Sequence, residues 1–187
     1  MTKNGRNVKI TLDDYIVCKR GHEWQPAFSR AKGNELWVLL LEKAWAKLHG
    51  SFDRIVAGNT YITLRDLSGA PAEYLRIKEN EDIFERILDA DQKNWCIGAS
   101  ISGKEDYESL GLVNGHAYSV IKAALITDAD GNEVKLLNIR NPWGRTEWTG
   151  DWGDDSELWT PEIREQVGMS DEVIDDGTFW MNIDDFQ

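Results

Sequence analysis

Five side chains give this chain its scope for nucleophilic or acid–base chemistry: His22, His49, His116, Cys18 and Cys96. His22 falls in a polar loop. His49 falls in the last turn of a helix, where a cation suits the dipole, so both read as structural. His116 is different, because it follows Asn114-Gly115 and opens the strand Ala117-Tyr118-Ser119-Val120. Asn141 closes the next strand, 135–140, and precedes Pro142-Trp143-Gly144. If 117–127 pairs with 133–140 as a hairpin, the start of the first strand lies beside the end of the second. His116 and Asn141 then come within side-chain reach. An amide beside an imidazole holds the orientation and tautomer of the ring, as in a Cys-His-Asn arrangement. Asn before Pro also starts turns without any chemistry, so both readings stand at this point.

A thiol nucleophile belongs at a helix N-terminus, which lowers its pKa. Cys18, in Val17-Cys18-Lys19-Arg20, reads as a strand end and lies 98 residues before His116. Lys19 and Arg20 would favour its thiolate, but no helix start follows. Cys96, in Trp95-Cys96-Ile97-Gly98, reads as a core residue of an apolar strand. No Gly-x-Ser-x-Gly elbow offers a serine instead. If His116 and Asn141 do chemistry, the sequence holds only half of an active site.

The elements that must position these residues follow from hydrophobic period. Residues 7–19 alternate apolar and polar and favour β-branched types, which predicts one or two short strands, followed by an irregular polar stretch to Gly33. Asn34 is placed to cap a helix whose inner face carries Leu36, Trp37, Leu40, Leu41, Ala44, Trp45 and Leu48, with Gly50 as its stop. Gly58, Gly69 and Pro71 break 51–78 into short pieces. A second helix is expected from Glu81 to Ala90, with Ile83, Phe84, Ile87 and Leu88 inward.

From Trp95 the period becomes that of strands. Expected strands are 95–101, 117–127, 133–139 and 178–182, with Asp128-Ala129-Asp130-Gly131-Asn132 as a hairpin loop. That loop imitates the start of an EF-hand but has Glu133 and Ile139 where Gly and Glu are needed. Helices first and strands later make an α+β pattern in a single domain, 1–187.

Composition narrows the function classes. The chain has 187 residues, and 41% of them are apolar, enough for a real core. No apolar run of membrane-spanning length occurs, and Met1–Lys9 has no apolar segment of a signal peptide. Two cysteines are too few for a disulfide framework, so a reduced, cytoplasmic protein is expected. The formal charge of −12 is concentrated late: Asp151–Gln187 holds twelve acids against one base, Arg164. Such a balance speaks against nucleic acid as a partner and leaves room for cations.

Several blocks together make the chain resemble the second, His/Asn-bearing lobe of a calpain protease core. They are Gly115-His116-Ala117-Tyr118-Ser119-Val120, Ile139-Arg140-Asn141-Pro142-Trp143-Gly144 and Glu147-Trp148-Thr149-Gly150. Asp155-Ser156 with Trp159, Asp176-Gly177-Thr178-Phe179-Trp180-Met181, and Gly33-Asn34-Glu35-Leu36-Trp37 with Leu41–Leu48 continue it in order. The resemblance implies a papain-like lobe built as an antiparallel sheet or open barrel with flanking helices. It implies calcium-dependent cysteine endopeptidase chemistry on protein substrates. His116 would be the general base, Asn141 its orienter and Trp143 the shield of the site, while the Cys and an oxyanion-hole Gln belong to a first lobe supplied in cis or in trans. It also implies a Ca²⁺ site of Glu147, Asp154, Asp176 and the backbone carbonyl of Ile174, with Thr178 where some calpains place a further acid. The isolated chain is then expected to cleave nothing. The alternative is a non-catalytic module that binds proteins under calcium control, and Trp143, Trp148, Trp152 and Trp159 also admit a stacking platform.

Overall fold

The computed structural model describes residues 1–187 apart from 32, 104, 105, 171 and 173, and apart from the side chains of 23 and 24. Its contacts divide the chain into two compact units, Met1–Glu73 and Tyr74–Gln187.

The first unit contains two small antiparallel pairs, β1 (Thr2–Lys3) with β2 (Arg6–Asn7) and β3 (Cys18–Lys19) with β4 (His22–Pro26). Two helices follow, α1 (Trp37–His49) and α2 (Thr60–Ser68). The alternating segment expected as strand is largely not one, because it is held to α1 instead. Lys47 donates to the carbonyl of Thr11 at 2.6 Å and Lys43 to those of Asp13 and Tyr15 at 3.1 and 2.6 Å. Backbone groups satisfied by lysines have no need of a partner strand.

Asn34 does not cap α1. A turn at Gly33-Asn34 precedes the helix, whose capping position is Leu36 with no side-chain acceptor. The inner face is correspondingly Leu39, Ala44 and Ala46, while Leu36, Trp37 and Leu41 are exposed. Gly50 ends the helix as expected, its N–H bonded to the Ala46 carbonyl. Helix α2 lies in the stretch read as short pieces. Its bounds are set by Asn59, which accepts from the Tyr61 N–H, and by Gly69 in the left-handed region.

The second unit opens with α3 (Ile83–Gln92), whose Ile83, Phe84 and Ile87 are buried as the period predicts. A four-stranded antiparallel sheet follows in the order β5 (Ile97–Ser100), β6 (Ala117–Thr127), β7 (Glu133–Arg140) and β8 (Thr178–Asn182). The short helices α4 (Pro161–Val167) and α5 (Ile183–Phe186) complete it. This is the expected α+β architecture, with an open sheet rather than a closed barrel.

Both faces of the sheet are covered, and strand parity decides which residue goes where. Leu137, Ile139, Phe179 and Met181 face one cluster with α3, Leu112 and Trp148. Leu136 and Trp180 face the other with Trp152, Trp159 and α4. In β6 the parity changes, because the register with β7 slips between Val120 and Lys122. The extra residue, Ile121, turns Tyr118, Val120 and Ala123 to one face and Ile126 to the other.

Candidate active site

The site forms where β6 begins and β7 ends. Ser119 pairs with Arg140 across the hairpin, so His116 and Asn141 emerge at the same edge of the sheet. Their side chains meet, with His116 Nε2 and Asn141 Oδ1 2.9 Å apart. Asn141 is completely buried, and every polar atom of its amide has a partner. Nδ2 donates to the carbonyls of Arg145 and Thr146 at 2.8 and 3.1 Å, while Oδ1 also accepts the Trp143 N–H at 3.0 Å. Flipping the amide would set NH₂ against N–H and oxygen against carbonyls, so its orientation is determined. Oδ1 is an acceptor only, hence His116 Nε2 must carry the proton. In the neutral ring this leaves Nδ1 with a free lone pair.

Two aromatic rings hold the imidazole. Trp143 packs on His116 with ring centroids 4.4 Å apart and a tilt of 44°, and Tyr118 meets it edge-on at 5.0 Å. Tyr118 is buried, its hydroxyl accepts the Val113 N–H at 2.8 Å, and burial raises its pKa. Trp143 is 57% exposed, a large apolar group lying over one face of the imidazole. Tyr118 was legible only as a strand residue. Its place two residues after His116, which puts both on one side of the chain as β6 begins, is the signal that links it to the imidazole.

A ring of backbone contacts closes behind Asn141. Its N–H donates to the Gly177 carbonyl at 2.7 Å, and the Gly177 N–H donates to Glu147 Oε1 at 2.6 Å. Gly177 has φ +86°, and a Cβ there would stand 2.7 Å from the Asn141 carbonyl oxygen, so only glycine fits.

The acidic residues lie beside this ring. Burial, and then the negative charges of Glu147, Asp155 and Asp176, push the Asp154 carboxyl up to about 6. Asp154 and its neighbours therefore act on one another electrostatically. They do not form a finished ligand shell: among the described residues, no three His, Cys, Asp or Glu side chains converge as metal ligands. Ile174 is exposed, and Thr178 starts β8 with its N–H bonded to Asp176 Oδ1 at 2.9 Å.

Neither cysteine stands at the start of a helix. Cys96 is exposed, not core, because β5 begins one residue later and is an edge strand. Ile97 pairs with Val120 while Ser100 pairs with Ala117, so Cys96 sits at the far end of β5 from His116, about 17 Å along the strand. Cys18 is a half-buried free thiol of the first unit, near the Ile16 carbonyl. The tryptophans do not form a platform. Trp148, Trp152 and Trp159 are buried; the Trp148 indole N–H donates to the Asp151 carbonyl, and that of Trp159 is shared between the carbonyls of Trp152 and Gly153.

Comparison with known proteins gives one consistent result. The family described as calpain family cysteine protease matches residues 1–187. Calpain-9 of Mus musculus is 40% identical over 164 residues, covering 84% of this chain and 24% of that protein. The calpain-1 catalytic subunit of Rattus norvegicus is 38% identical over 191 residues, 97% of this chain and 26% of the relative. The calpain-type cysteine protease DEK1 of Zea mays is 36% identical, over 98% of this chain and 9% of that protein. The chain thus spans about a quarter of the length of the first two relatives and less of the third.

Proposed function

This chain belongs to the calpain family of cysteine proteases, and from that premise we propose that it supplies the base and its orienter to a cysteine endopeptidase site completed by another lobe. The observation that carries the reading is the His116–Asn141 pair, with Nε2–H committed to Oδ1 and Nδ1 left free. A thiol placed at Nδ1 would give up its proton there, forming a thiolate–imidazolium pair. Asn141 keeps the ring in plane as charge develops on it, and Trp143 keeps water from one ring face, which strengthens the ion pair. The same proton then returns from Nδ1 to the leaving amine of a peptide. The nucleophile comes from a Cys-bearing lobe in cis or trans, since neither Cys18 nor Cys96 stands at a helix start and Cys96 lies at the far end of β5 from His116. The substrates are proteins, and a cytoplasmic setting suits the two free thiols.

Calcium belongs to the same reading. Glu147, Asp154, Asp176 and the Ile174 carbonyl are hard oxygen donors, and Asp154, raised first by burial, also feels the negative charges of Glu147, Asp155 and Asp176 that a cation would offset. Bound Ca²⁺ would neutralise that charge. Calorimetric titration should give heat that Glu147→Ala removes, and no heat at millimolar calcium would reject this part.

The whole reading is tested by complementation. Alone, the chain should cleave no peptide. Mixed with a Cys-bearing calpain lobe, it should restore cleavage that His116→Ala abolishes and Asn141→Ala sharply lowers. Turnover by the isolated chain that depends on His116 would contradict it. A mixture that assembles but stays silent would favour the protein-binding module instead.

A further inference from the structure

Glu147 has a structural duty at the site that its type and position in the sequence do not suggest. Its Oε1 accepts the Gly177 N–H at 2.6 Å, the Gly177 carbonyl accepts the Asn141 N–H at 2.7 Å, and the Asn141 side chain donates to the carbonyls of Arg145 and Thr146 beside Glu147. These bonds close a loop that begins and ends on the 145–147 turn. Gly111 backs the turn so closely that a Cβ would overlap the Glu147 carbonyl oxygen at 1.8 Å. Gly177 is itself buried, so its N–H has no ready water to turn to if the carboxylate is withdrawn. The left-handed conformation of Thr146, φ +67°, presents its carbonyl to Asn141 and depends on the same turn.

We propose that Glu147 is a positioning residue for the His116–Asn141 pair, acting through the Gly177 peptide to hold the Asn141 amide in the one orientation that accepts from His116 Nε2. The inference rests on the reading of these two residues as base and orienter. It concerns the hydrogen bond made by Oε1, whatever else the carboxylate binds, so its test is run in a chelating buffer.

Two substitutions separate reach from charge. Glu147→Gln removes the charge and keeps an acceptor of the same length, while Glu147→Asp keeps the charge and withdraws the acceptor by one methylene. Long-range ¹H–¹⁵N NMR of the whole chain reads the His116 tautomer directly, and the amides of β6 and β7 report whether the fold is intact. Glu147→Gln should retain the Nε2–H tautomer. Glu147→Asp should shift the tautomer ratio toward Nδ1–H by about tenfold, the effect of one hydrogen bond lost, and speed exchange of the Asn141 amide. Equal tautomer ratios in both variants and the wild type, with β6 and β7 intact, would overturn the proposal. So would a larger shift in Glu147→Gln than in Glu147→Asp, which would make charge the agent. The failure of the underlying reading looks different: there the wild-type ring itself would be Nδ1–H.

Discussion

The two units of this chain are built on different physics. In Met1–Glu73 the buried apolar side chains among the described residues are Leu39, Ala44 and Ala46, all on α1. Order there comes largely from polar reach: Lys3 to the Leu48 carbonyl, Lys43 and Lys47 to the 11–15 segment, and Glu42 to the N–H and hydroxyl of Ser29. Large apolar groups such as Tyr15, Trp37 and Val56 remain exposed. In Tyr74–Gln187 a single sheet is packed on both faces, with Leu136, Leu137 and Phe179 almost wholly excluded from solvent. The His116–Asn141 pair stands at the edge of that packed sheet. The base and orienter we propose would have to hold to a few tenths of an ångström, and they are carried by the unit with the close-packed core, which is where such precision is least costly.

The sharpest way to break this contrast is to open a cavity in each unit. Phe179→Ala should cost about 3–5 kcal/mol in urea unfolding, whereas Leu39→Ala, on a thin core, should cost about 2. Equal losses would show that the first unit has a core of the same kind. A smaller effect is expected at the site: Asn141→Ala should cost about 1–3 kcal/mol, because the carbonyls of Arg145 and Thr146 and the Trp143 N–H lose their partner. No loss would mean that water replaces the amide and that the pair is not held as described.

A still smaller effect separates chemistry from packing within the second unit. Asp154 is raised to about 6 by burial and acidic neighbours, so the folded state holds its proton over a range where the unfolded chain has already released it. Stability from this group is complete below about pH 4 and is lost as pH rises through about 6. Asp154→Asn should therefore stabilise the protein at neutral pH and have no effect below pH 4. The gain is on the order of 1 kcal/mol, since a half-buried carboxylate is partly screened by solvent. Thermal melts at the two pH values read it, and a gain at low pH would reverse the assigned sign.

The same contrast explains what was legible in the sequence. Strands 117–127 and 133–140 announce themselves because burial on their faces imposes alternation, and their hairpin is enough to bring His116 to Asn141. The bounds of β8 are legible for the same reason. In the first unit, residues 7–19 alternate as a strand would, yet lysine side chains take the carbonyls that a neighbouring strand would have used. Asn34 looks like a cap and is spent in a turn, while the working cap, Asn59, stands before a helix with little apolar face. Helix α4 is marked by Thr160 and Pro161 at its start, a pair that is readable but short. The partners of Asn141 were out of reach for another reason. They are backbone carbonyls and the Trp143 N–H, and backbone groups leave no trace in residue type.

On the proposed reading, the His116–Asn141 pair is set before any thiol arrives. Long-range ¹H–¹⁵N NMR of His116 in the unmodified chain, at a pH where the ring is neutral, tests it most directly. The account predicts a single Nε2–H tautomer with Nδ1 unprotonated. A ring protonated at Nδ1, or an even mixture of the two forms, would contradict it.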